Sequence, residues 1–272
     1  MEIHDTIAIP PRPPSNLPPL PPEDLRSGYA EKKNQKVPVW AQVVGIIGEL
    51  FITAGILIGA YIAWQLWISG WETDSINNNA VASASQEWQQ SPQKIGTPRY
   101  DDPPEFEHIT QLGATLGIIH IPAFGSEWEY AIWQGANKEA ILDKGAFGHY
   151  KDTAYPGEIG NFAMAAHRNT YGAPMHYVEN LKVGDDIIIE TKDAYLVYKI
   201  EPQPYVVKPT QGEVIWPVPG NQNAEPTERL LTITTCHPYI GIQIERMITH
   251  AKLDHWVDRN DGIPEEMFNK NQ

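Results

Sequence analysis

One cysteine stands in 272 residues, and its setting is the first pointer to chemistry. Cys236 closes the run Leu230-Leu231-Thr232-Ile233-Thr234-Thr235, whose β-branched composition predicts a strand, and His237-Pro238 stops that strand at once. A nucleophile at a strand end is held firmly yet stays open to substrate. Thiolate is the reactive form, so such a cysteine needs a cation or a base beside it. Arg246 lies across a short turn, His237–Gln243, from the thiol. If the flanking strands pair as a hairpin, its guanidinium is placed to favour the thiolate and to hydrogen-bond a developing oxyanion. The competing reading is a surface strand arginine paired with a carboxylate. For a proton carrier there are nine histidines. His167 stands out because it too ends a strand-like run, Asn161-Phe162-Ala163-Met164-Ala165-Ala166, while His149 and His237 remain candidates. Composition alone does not separate a reactive thiol from a buried structural one.

The elements that must position these residues are mostly strands. Runs at Leu116–Ile121, Trp128–Trp133, Asn161–His167, Asp186–Thr191, Tyr195–Ile200, Leu230–Thr235 and Gln243–Leu253 carry the β-branched and aromatic residues of strands. Ala173–Leu181 is expected as a short helix. Pro202–Glu228 holds six prolines and is expected as a long loop, of the kind that is functional or mobile. Many short strands with few helices predict a closed, mostly antiparallel β-barrel.

Ahead of that unit the chain changes character. Residues 1–36 form a proline-rich head that cannot be helix or central strand. Residues 37–69 read as a membrane anchor. Their uncharged run Leu50–Ile68 spans about 28 Å as a helix, close to the hydrocarbon thickness of a bilayer. Trp40, Trp64, Trp67 and Trp71 sit near its ends, and Lys32, Lys33 and Lys36 precede it with no Lys or Arg following until Lys94. That bias puts the head in the cytoplasm and the rest outside. Ala82-Ser83-Ala84 resembles a leader cleavage site but lies well past the span, so an uncleaved anchor is the reading taken. Residues 70–107 read as a polar stalk, 108–260 as the catalytic domain and 261–272 as a tail.

A net charge of -14 argues against a nucleic-acid partner. A single cysteine excludes a disulfide framework, a thiolate zinc site and an iron–sulfur cluster.

Thr232-Ile233-Thr234-Thr235-Cys236-His237-Pro238 resembles the TLxTC signature of the sortase family, and Glu245-Arg246-Met247-Ile248 resembles the family's arginine strand. Ala166-His167-Arg168 with Tyr171-Gly172-Ala173-Pro174 resembles the histidine segment of class E sortases, common in high-GC Gram-positive bacteria. Gly148-His149-Tyr150, Pro156–Asn161 and Leu181–Asp185 add matches in the same chain order. Two positions depart: Ala166 stands where the family has glycine, and Ile233 where leucine is commoner. The resemblance implies a sortase-like barrel and a thiol transpeptidase acting on a C-terminal LPxTG-like or LAxTG-like sorting signal. Cys236 would be its nucleophile, His167 its acid and Arg246 its oxyanion donor. Arg168 would be a structural neighbour able to accept lysine. The partners implied are secreted proteins bearing the signal, an amine acceptor on the cell wall or a protein, and the membrane. No cofactor or metal is called for. The chain order, His167 before Cys236, is opposite to that of papain-like proteases. Asp102-Pro103 faintly resembles the lid of pilin-polymerising sortases, whose second membrane helix would be expected after Leu253. A non-catalytic anchored binding module would have Cys236 far from both His167 and Arg246.

Overall fold

The computed structural model describes residues 38–64, 69–88 and 90–268. The proline-rich head lies outside them, as do residues 65–68 of the apolar run. Helix α1, Val39–Ala63, carries Glu49 as its one charge, and its stretch Val39–Ile62 is long and apolar enough to cross a membrane. A second helix, α2, spans Ser69–Glu87 and belongs with the sheet to one compact unit.

The strands are β1 Thr115–His120, β2 Glu129–Gln134, β3 Phe147–His149, β4 Gly160–Ala165, β5 Asp186–Glu190, β6 Ala194–Ile200, β7 Tyr205–Val207, β8 Arg229–His237 and β9 Glu245–Asp258. Eight of them close a ring in the order β6-β5-β1-β2-β3-β4-β8-β9, with β9 returning to β6 and β7 added outside β9. The pairs β2–β3 and β4–β8 are parallel and the rest antiparallel, the closed barrel that the strand pattern predicts. Alternate side chains fill its interior, among them Ile119, Phe147, Phe162, Met164, Ile187, Ile189, Leu231 and Ile233. β4 is buried along its whole length because the loop after β7 covers its outer face: Asn161 Nδ2 donates to the carbonyls of Val214 and Trp216.

Four local expectations are corrected. The segment read as a stalk is α2 followed by a strap along the barrel. Thr73, Asn77, Val81, Ala84 and Trp88 are buried at helical spacing, with Val81, Ala84 and Trp88 packed on Ile118 and Ala131. Two of those five are polar, which hides the helical stripe from a hydropathy reading. Further on, Arg99 bridges to Trp256 and Ile95 to Ile263, so the start of the supposed tail is also fastened, with Met267 against the apolar cluster of Ile188 and Val257. The expected helix at Ala173–Leu181 is a series of turns with one 3-10 turn at Val178–Asn180. Tyr171, Gly172 and Ala173 take φ of 52°, 77° and 45°, which no right-handed helix continues. Finally, the loop Pro202–Glu228 contains β7, whose ladder is too short to show a period.

Candidate active site

β8 and β9 form a hairpin whose ladder pairs Cys236 directly with Arg246. β4 runs parallel to β8, with Ala165 beside Thr234. The Ala166 amide donates to the Thr234 carbonyl at 3.1 Å, and the Thr235 hydroxyl donates to the Ala166 carbonyl at 2.8 Å. The next residues on these two fastened strands are His167 and Cys236. All three candidates line one cleft of about 630 Å³, together with Lys138, Tyr150 and Tyr171. The separation that a binding module requires is therefore absent. Cys236 is a free, partly exposed thiol. Ala166 is buried against the barrel core, so its extra methyl is accommodated by packing.

His167 is held by groups the sequence did not single out. Its Nε2 lies 2.7 Å from Asp143 Oδ1, and the other Asp143 oxygen accepts from Lys138 at 2.7 Å. Tyr171 stacks on the imidazole with ring centroids 5.2 Å apart, and the Lys138 ammonium lies over that tyrosine ring. Burial pushes His167 below the ordinary histidine value, and the Asp143 hydrogen bond opposes that shift. With Nε2 engaged, Nδ1 is the nitrogen left for the cleft. Asp143 sits on a 3-10 turn, Leu142–Lys144, in a stretch that also holds Lys138, Glu139 and Lys144. One carboxylate among such charges reads as a solvated surface, so the sequence offers no signal for it. Tyr150 is a second such residue: its hydroxyl meets that of Thr234 at 2.9 Å on the cleft wall.

The other histidine candidates are occupied. His149 is fully buried, with Nδ1 2.6 Å from Gln134 Oε1 and Nε2 3.0 Å from the Ala154 carbonyl. Its pKa is held below the ordinary value by burial. His237 Nδ1 accepts from Arg168 at 2.9 Å.

The two arginines differ in kind. Arg246 is partly exposed and donates to the carbonyls of Glu245 and Gln243, at 2.8 and 3.5 Å, beside the turn that supplies Gly241 and Gln243 to the cleft. Ile240, Ile242 and Ile244 of the same turn are exposed. Arg168 is only 1% exposed. Besides His237, it donates to the Cys236 carbonyl at 3.4 Å and pairs with Glu179 at 2.6 Å. A lysine at this position would offer a single ammonium, with no planar fork to span these partners.

A family model described as the sortase domain matches residues 119–254, half of the chain. The chain is 32% identical over 226 residues to Sortase SrtE1 of Streptomyces coelicolor, an alignment covering 81% of this chain and 60% of that protein. It is also 32% identical over 207 residues to Sortase SrtE2 of the same organism, covering 73% of this chain and 77% of that one. The chain thus spans about 60% of the length of SrtE1 and more of SrtE2. Among solved structures, SrtA sortase from Actinomyces oris aligns with a TM-score of 0.60 and 39% identity, over 64% of this chain and 97% of that one.

Proposed function

Because the chain belongs to the sortase family, we propose that it is a membrane-anchored cysteine transpeptidase of the class E kind, with the barrel on the outer face of the cell membrane. One observation carries the reading: a lone thiol faces an arginine across a hairpin while a histidine ends the adjoining parallel strand, and all three line one cleft.

The chemistry follows from those three groups. Near neutrality the depressed pKa of His167 keeps its imidazole neutral and ready to accept the Cys236 proton. The thiolate adds to the Thr–Gly carbonyl of an LAxTG-like or LPxTG-like sorting signal. Arg246 donates to the resulting oxyanion. The C–N bond then breaks, His167 returns its proton to the departing glycine amine, and a thioester remains on Cys236. An amine on a cell-wall precursor or on another protein attacks that thioester, forming the new amide and restoring the thiol. The sorting signal and the acceptor amine are consumed, and the three side chains are regenerated. An anchor such as α1 suits substrates that arrive tethered to the same membrane, since sharing a plane raises effective concentration.

The test is a covalent adduct. Full-length protein in detergent is incubated with LAxTG and LPxTG peptides and its mass is measured. An adduct on Cys236 lacking the peptide's glycine portion is expected, and Cys236→Ala abolishes it. An unmodified wild-type protein with both peptides, or an adduct that survives Cys236→Ala, overturns the proposal.

A further inference from the structure

Thr73, in the first half of α2, is buried to 3% exposure and has no part in the chemistry above. It is wedged between two glycines on the histidine side of the cleft. A β-carbon at Gly145 would lie 3.0 Å from Thr73 Cβ, and one at Gly172 would lie 3.1 Å from its Oγ1. Gly145, at φ 83°, closes the turn that carries Asp143. Gly172, at φ 77°, follows Tyr171, whose ring stacks on His167. Both glycines allow α2 an approach that a side chain would block.

One helical turn on, Asn77 fastens the same helix to the barrel. Its Nδ2 donates to the Glu129 carbonyl at 3.0 Å and its Oδ1 accepts from the Ala131 amide at 2.9 Å. β3 pairs with β2 only from Ile132 onward, so the Asn77 amide takes the place of a strand residue along that open edge. Between these two fixings, the Tyr130 hydroxyl donates to the Gly172 carbonyl at 3.2 Å.

We infer that α2 is a positioning element of the active site: Asn77 fixes the helix to β2, and Thr73 then sets the two turns that hold Asp143 and Tyr171 against His167. The inference rests on the reading of His167 as the proton carrier. The helix that follows the candidate membrane span thereby takes part in ordering the acid–base group. A misplacement of an ångström in such a group costs turnover far more than binding.

The experiment uses the full chain in detergent micelles with three alanine variants. Thr73→Ala and Asn77→Ala loosen the wedge and the clasp. Val81→Ala weakens the same helix where it packs on Ile118 and Ala131, away from both turns. Two readouts are taken: kcat and KM for cleavage of a sorting peptide, and the low-field imidazole N–H proton of His167 in its bond to Asp143, seen by NMR without substrate. Thr73→Ala and Asn77→Ala should lower kcat about tenfold with KM within about twofold, and should weaken the low-field signal. Thr73→Ser, which keeps Cβ and Oγ, should restore both. Val81→Ala should lower the melting temperature and leave kcat and the signal as they were. An unchanged signal and kcat in Thr73→Ala, or equal losses in Val81→Ala, would overturn the inference. Turnover indifferent to His167→Ala would overturn the catalytic reading instead, because the NMR signal reports on position alone.

Discussion

The two sides of the cleft are built by different means. On the cysteine side, a hairpin ladder puts Cys236 opposite Arg246, and the register of the two strands fixes the pairing. On the histidine side, His167 has already left its strand and is held by side chains from remote segments: Asp143 and Lys138 between β2 and β3, Tyr171 from its own loop, and Thr73 behind them. A ladder is cooperative and costs little to perturb at one side chain. A constellation of loops depends on each contact. The cysteine side should therefore respond to substitutions at the reacting groups, and the histidine side to substitutions one contact removed.

The sharpest break in that comparison is between the arginines. Arg246→Lys removes a fork that matches an oxyanion but leaves the ladder intact. A loss of about 10²-fold in kcat is expected, with a melting temperature near wild type. Arg168→Lys does the reverse. It leaves the His237 nitrogen and the Cys236 carbonyl without their buried donor and loosens the pairing to the exposed Glu179, and should cost about 1–3 kcal/mol of stability. Denaturant midpoints and peptide-cleavage rates on both variants decide the matter. Loss of activity without loss of stability in Arg168→Lys would assign the oxyanion role to the other arginine.

This division also explains what could be read in advance. The hairpin was legible because Leu230–Thr235 and Gln243–Leu253 carry strand composition and the turn between them is short, so Cys236 and Arg246 followed from spacing. His167 was visible as the end of a small-residue strand. Asp143 was not, since its partner is 24 positions away and nothing local distinguishes it from Glu139. β3 escaped notice because three residues cannot display an alternation. α2 was hidden by its own chemistry: an asparagine and a threonine occupy buried places in its stripe, and their value lies in hydrogen bonds and close packing that hydropathy does not register.

His250 offers a control for the histidine side, being half-buried without a carboxylate on its ring. Its nitrogens meet the Thr232 and Tyr205 hydroxyls, each at 2.8 Å, and burial lowers its pKa to about 4. Above pH 6.5, the ordinary value, both folded and unfolded states carry it neutral, and stability from this group is complete. As pH falls toward 4 the unfolded chain takes up the proton and the folded one does not, so stability is lost through that window. The loss at pH 5 relative to pH 7 should be about 2 kcal/mol from this residue. Urea unfolding of wild type and His250→Gln at both pH values measures it. An equally steep pH dependence in the variant would show that other groups govern the acid limb.

The smallest effect expected is the most specific to the loop-built side. Asp143→Asn keeps an oxygen able to accept from the Nε2–H of His167 but removes the charge that favours imidazolium. Burial already depresses the His167 pKa, and Asp143 opposes that depression through its hydrogen bond and its charge. Without the carboxylate the pKa should fall further, so the limb of the pH–rate profile that reports the histidine should move to lower pH. The imidazolium that protonates the glycine amine is then harder to form, and kcat should drop about tenfold at neutral pH with KM nearly unchanged. The cysteine side predicts no such movement, because its order comes from the ladder. A pH limb that stays in place in Asp143→Asn while kcat falls would mean that Asp143 only orients the ring. A limb that moves upward would mean that burial, relieved by the substitution, outweighs the lost charge.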